Sequence, residues 1–350
     1  MKKIILICFI IASQVVSLFA VETVGSTTGD TDFDKVGASG AQFLKIGVGA
    51  RANAMGGAYG SIANDLSALH YNPAGINNIK NFSAMFSNST WFADYTLNFA
   101  AVSIPISDQY KLGFNFHSFG VDGVPITTVN KPEGTGSHYS VNDYSFGLTF
   151  AADLTDQFSF GITSRLIQNA FHDVEAMGVG FDIGTIYKTG IWDLVVGFSI
   201  HNMGTEQAYS GASLDGTTQH TSSGSTNENW ADNNRPINVE TPSTPFALPL
   251  VFRTSLAKKF EIDDDNNLLI VTDFVTNSDS PEQFIGGAEY NWTFLSFRAG
   301  YRHGNGQFGL SGGFGFNYDM DGTIAKIDYS INPSDNLGLI NRITIILDME

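Results

Sequence analysis

The stretch Gln307–Asp319 reads QFGLSGGFGFNYD, and its reading decides the fold. Phe308, Leu310, Gly312, Phe314, Phe316 and Tyr318 share one parity; Gln307, Gly309, Ser311, Gly313, Gly315, Asn317 and Asp319 share the other. Successive side chains of a strand point to opposite faces, so this period of two predicts a strand with one apolar and one polar face. The pattern recurs in Leu295, Phe297, Ala299 and Tyr301 against Ser296, Arg298, Gly300 and Arg302. It recurs again in Tyr144, Phe146, Leu148 and Phe150 against Ser145, Gly147 and Thr149, and in the runs around Phe160 and Phe181. About fourteen such runs can be marked from 82–90 to 338–349, although those at 95–106 and 267–276 alternate poorly.

A soluble sandwich also alternates. What separates the two is the polar side, rich here in Gly and Ser with scattered charges, and an unusually aromatic apolar side. An outward face meeting lipid and an inward face that is polar are what a membrane barrel requires. The connections agree, because short turns such as Ser107-Asp108-Gln109, Thr189-Gly190-Ile191 and Met320-Asp321-Gly322 alternate with long stretches such as Gly204–Phe246. Tyr110, Phe158, Tyr187, Trp192, Trp292, Phe294 and Tyr318 flank the short turns, as an aromatic girdle at one headgroup level would. The expected fold is all-β, a transmembrane antiparallel barrel of about 14 strands over residues 81–350, preceded by a short plug.

Composition narrows the alternatives. Charged residues make up 15% of the 350, below the ~25% of an average domain, while Gly (37) and Phe (28) are abundant. Eighteen Lys+Arg against 35 Asp+Glu give a formal charge of -17, so no basic patch is available for nucleic acid. Lys2 and Lys3 precede an apolar run that ends in Ala20, the layout of a secretory signal peptide over residues 1–20 with cleavage near Ala20. Cys8, the one cysteine, lies inside it. Residues 21–40 then read as an arm, with the outer membrane of a Gram-negative-type bacterium as destination.

Residues 41–80 do not alternate and are expected to form a hatch at the periplasmic end. Asn64 is placed to cap a short helix over Asp65–Leu69, Asn72-Pro73 to end it, and Gly56-Gly57 to reverse the chain. The runs GARANAMGGA (49–58) and SALHYNPAG (67–75) strongly resemble the PorV/PorQ family of bacterial outer-membrane proteins. The Asn72-Pro73-Ala74 element is similar to the hatch of the related FadL-type transporters. The chain departs from the family in its last strand, which closes Ile346-Leu347-Asp348-Met349-Glu350 without a terminal aromatic. The resemblance to PorV implies a type IX secretion component that binds secreted cargo through its external loops and passes it to the surface attachment complex. The alternative it implies is a FadL-like conduit holding a hydrophobic ligand in the lumen.

The candidate residues follow from these expectations. Arg51, with Gly56, Gly57, Asn72, Pro73 and Ala74 in the hatch motif, is expected to pair with a luminal carboxylate such as Asp182, Glu289 or Asp328, since an Arg fork matches a carboxylate. Arg165, Asp182, Arg253, Glu289, Arg298, Arg302, Lys326 and Asp328 fall on the inward parity and suggest ion pairs that fill the barrel. In the loop Gly204–Phe246, Tyr209 and Trp230 are candidate anchors for a partner. The acidic runs 30–34 and 263–267 do not complete a calcium loop, and the seven histidines lack zinc spacing. No cofactor, metal or enzymatic activity is expected, and the surrounding partner is outer-membrane lipid.

Overall fold

Alternation becomes a wall because each run finds a partner of matching length on both sides. The structure, a computed structural model, describes residues 37–218, 237–241, 243–263, 265–304, 308–320, 322–334 and 337–349. The expected signal peptide, most of the arm, and Trp230 lie outside these residues.

Fourteen long strands among the described residues form the wall. They are β1 (Ser83–Thr90), β2 (Thr96–Pro105), β3 (Tyr110–Pro125), β4 (His138–Thr155), β5 (Phe158–Phe171), β6 (Val174–Lys188) and β7 (Leu194–Gly204), then β8 (Val251–Glu261), β9 (Asn266–Asn277), β10 (Gln283–Trp292), β11 (Leu295–His303), β12 (Leu310–Asp319), β13 (Thr323–Ser334) and β14 (Gly338–Met349). Each pairs antiparallel with its neighbours, and β1 pairs with β14 from Ser83 opposite Asp348 to Thr90 opposite Asn341. That last pairing closes the ring, so no edge is left with unpaired backbone groups. No helix among the described residues is long and apolar enough to cross a membrane.

The outward parity is apolar and exposed: Phe114, Phe146, Phe198, Phe252, Phe297, Phe314 and Ile343 all face away from the ring. A band of exposed aromatic and branched residues around a closed barrel suits hydrocarbon. Tyr110, Tyr187, Trp192, Trp292, Phe294 and Tyr318 are exposed too, beside the short-turn end.

Residues 39–79 run inside the ring. They start at the long-loop rim, where the Gly40 N–H donates to the carbonyl of Ala247 (3.0 Å). A 3-10 turn (Gln42–Lys45), helix α1 (Ala50–Ala54), helix α2 (Ala68–Tyr71) and a second 3-10 turn (Pro73–Asn78) follow, and the chain leaves into β1 at the short-turn end. The segment therefore reaches from rim to rim, further than a hatch confined to the periplasmic end. Its apolar side chains, among them Val48, Met55, Tyr59, Leu66, Leu69 and Ile76, are buried with Leu97, Phe99, Val271, Val275 and Ile285 of the wall in one cluster.

That cluster explains the two runs that alternate poorly. In β2 and β9 the inward residues are apolar because they pack on the segment, while their outward neighbours meet lipid. One expectation is corrected. Asn64 caps nothing: α2 starts at Ala68 after Ser67, and the Asp65 carboxylate accepts the Ser67 N–H (2.9 Å) to set the preceding turn. Asn64 instead accepts a hydrogen bond from Arg51. The helix does end before Asn72, which is extended, as a residue before proline must be.

Candidate functional site

Two kinds of contact hold the internal segment against the wall. The first is close backbone approach at inward glycines. A methyl group on Gly184 would lie 2.7 Å from Pro73 Cδ, and one on Gly300 would lie 2.6 Å from Met55 Cα. Any side chain at these places would push the segment off the wall. Gly56 and Gly57, with φ of 72° and 89°, make the reversal between these contacts in a region only glycine occupies freely. Asn72, fully buried, ties two stretches of the segment to one strand of the wall. Its Nδ2 donates to Gly60 O (2.7 Å) and Thr185 O (3.0 Å), and its Oδ1 accepts from Ala74 N (3.2 Å).

The second kind is charged. Arg51 donates from Nε and Nη2 to the two oxygens of Glu289 (2.7 and 2.8 Å), and from Nη1 to Tyr59 Oη (2.9 Å). Glu289 also accepts from Arg298 Nε (2.6 Å), whose Nη1 donates to Asp328 (2.5 Å). Arg165 pairs with Asp182 (2.6 Å) and caps α2 by donating to Leu69 O (2.7 Å). Asp182 also accepts the Asn202 N–H (2.8 Å) where the β6–β7 ladder shifts register. The eight inward charges thus form separate groups. Arg253 pairs with Asp273 (2.5 Å), Arg302 donates to the carbonyl of Gly56 (2.7 and 2.9 Å), and Lys326 sits apart with Asp348 (2.7 Å).

Two members of this interior are invisible to a search for clean alternation. Asp273 accepts the Tyr59 and Gly60 N–H groups (3.0 and 3.1 Å) as well as Arg253. Arg342, the largest fully buried side chain among the described residues, donates to Ser89 Oγ (2.5 Å). Both sit in runs of Val, Ile and Thr where apolar residues occupy either parity.

At the long-loop rim, Asp279 between β9 and β10 accepts from Ser39, from Gln42 (2.6 Å) and from Lys45 (2.8 Å). Burial opposes its ionisation, but the Lys45 ammonium and the two further donors outweigh it and hold the carboxyl below its usual range.

Two cavities flank the segment near that rim. One, of about 370 Å³, is polar and is lined by Lys45, His70, Arg165, His201, Arg253 and Arg302 among others. The other is larger, about 700 Å³, and apolar: Phe43, Ile46, Trp91, Phe92, Phe119, Val141, Phe171, Val174, Tyr209 and Leu214 line it, with Asp143 and Asn169 in its wall. Phe119 stacks on Tyr95 at 4.9 Å between centroids and meets Trp91 edge-on at 6.3 Å. Tyr209 is half-buried in this chamber and packs on Phe246 at 5.3 Å.

No family model matches the chain, and no curated protein matches its sequence. Solved structures match in fold. The toluene transporter TodX of Pseudomonas putida superposes with a TM-score of 0.57 at 13% identity, over 86% of this chain and 97% of that one. The CymD monoaromatic hydrocarbon channel gives 0.56 at 14%, over 86% and 96%. A Pseudomonas aeruginosa FadL homologue gives 0.54 at 12%, over 87% and 99%. At these identities the likeness is one of fold, to barrels of the FadL type. The motif runs 49–58 and 67–75 that carry the PorV/PorQ resemblance find no counterpart in these comparisons.

Proposed function

We propose that the protein is an outer-membrane conduit for hydrophobic small molecules, with the 700 Å³ chamber as its capture site and residues 41–79 as its plug. The observation that carries this reading is the chamber. Its volume and its aromatic lining with a few polar groups are those of a small-molecule site. It lies at the end bearing the long connections, which in outer-membrane barrels is the external end. The proteins of similar fold include a toluene transporter and a monoaromatic hydrocarbon channel, and the present reading extends that class of cargo to this chain.

The secretion role implied by the PorV/PorQ resemblance needs external side chains free to grip a protein. Tyr209 lines the chamber instead, which favours the conduit. The bland alternative for the inward charges, packing and orientation of the plug, accounts for Arg51, Arg165, Arg253, Glu289 and Arg298 without a pore.

Crystals of the full chain soaked in bromobenzene test the proposal. Bromine anomalous signal is expected between Phe43, Phe119 and Phe171. Signal confined to the outer wall, with none in the chamber, contradicts it.

A further inference from the structure

Asp143 and Asn169 in the chamber's wall each carry an acceptor oxygen, and this bears on what it holds. Asp143 on β4 stands directly opposite Asn169 on β5 in the strand register. Asn169 Nδ2 donates to Asp143 Oδ1 (2.7 Å), which fixes the amide orientation, because the reverse would set two oxygens face to face. The Asn169 Oδ1 is left without a partner among the described residues, although the residue is only 4% exposed. Buried polar atoms are normally satisfied, so this oxygen awaits a donor. Among the described residues Asp143 forms no ion pair, and no Lys, Arg or His lines the chamber. Lys45, His70, Arg165, His201, Arg253 and Arg302 line the separate polar cavity.

Resting on the chamber reading above, we infer that this site takes a hydrophobic molecule carrying a protonated amine, and discriminates against a carboxylate. An ammonium has three donors and no acceptor, and so matches a carboxylate beside an unpaired amide oxygen. Desolvating it there is offset by the opposite charge and by the π-faces of Trp91, Phe119 and Tyr209. A carboxylate in the same place would meet the like charge of Asp143. The formal charge of -17 attracts organic cations to the protein at longer range.

The test uses the full chain in detergent and three probes of one skeleton: 3-phenylpropylammonium, 3-phenylpropanol and 3-phenylpropanoate. Calorimetric titration, corrected with empty micelles, is expected to rank them in that order, with the ammonium roughly tenfold tighter than the alcohol. In Asp143→Asn, which keeps the shape, the ratio of ammonium to alcohol affinity should fall towards one. Asn169→Leu should lower the same ratio by removing the acceptor, and unheated gel mobility confirms that both variants fold. Equal binding of ammonium and alcohol by the parent, tighter binding of the carboxylate, or a ratio unchanged in Asp143→Asn overturns the inference while leaving the chamber as a site for hydrophobes. Binding of none of the three overturns both.

Discussion

Glu289 is the joint between plug and wall, and replacing it with Gln measures how firmly the two are held. The side chain is 2% exposed and accepts two hydrogen bonds from Arg51, one from Arg298 and one from Asn291 (3.2 Å). A unit charge pair at about 4 Å is worth roughly 4 kcal/mol at an effective dielectric of 20. Removing one partner of a buried pair costs about 3–5 kcal/mol, because the remaining charge stays buried. Each arginine retains another carboxylate: Asp65 lies 3.6 Å from Arg51, and Asp328 lies 2.5 Å from Arg298. The loss for Glu289→Gln should therefore sit near the lower bound, about 3 kcal/mol. The double variant Arg51→Met/Glu289→Met removes both charges and should recover at least ~1 kcal/mol of that loss. Urea titration in lipid vesicles, read by the mobility of unheated samples, gives both values. A Glu289→Gln variant within ~0.5 kcal/mol of the parent, the scatter of neutral substitutions, would refute this placement of the charge.

The lipid face gives a second prediction: Phe314→Arg, midway along β12 and exposed, should lose about 2–4 kcal/mol, while Asn317→Lys, near the strand end, should lose little. Gly184→Val should cost about 1–3 kcal/mol because its methyls overlap Asn72 and Pro73, whereas Gly286→Ala, with open space at its Cβ, should be neutral in the same titration. Asp279 sets a pH dependence. Its carboxyl is held below the ordinary value of 3.8, so its stabilising contribution is present above that pH and is lost as the pH falls through the lowered folded value. The urea stability of the parent should consequently fall towards that of Asp279→Asn below about pH 4. A difference between the two that is unchanged down to about pH 2.5 would count against the Lys45–Asp279 anchor.

The wall was legible in the sequence because its outward half is uniformly apolar, so that Leu310, Phe314, Phe316 and Tyr318 fix the parity of β12 and the short turns fix the ends. The interior was harder to read. Inward Gly184 and Gly300 look like small residues of a wet lumen, yet each is small because segment backbone lies against it. Arg51 could be matched to three carboxylates by residue type, and only the closed barrel brings it to Glu289 rather than Asp182 or Asp328. Asp273 and Arg342 were hidden because plug and lipid make both faces of β9 and β14 apolar. The chamber has no sequence signature at all. Its rings come from the plug (Phe43), the β1–β2 connection (Trp91, Phe92), β3 (Phe119), β5 (Phe171) and the loop after β7 (Tyr209), which only the closed ring assembles.

The central claim is that hydrophobic molecules pass through this barrel by way of the chamber. The most direct measurement is the initial rate at which a bacterial host lacking its own such channel takes up labelled toluene and labelled 3-phenylpropylamine. The full chain should raise the rate of at least one several-fold over the host alone. Val141→Trp, which puts an indole into the chamber without touching the Glu289 or Asp182 pairs, should return it to the host's level while the barrel still folds. Uptake of both compounds that is the same with the parent, the variant and the host alone would contradict the account.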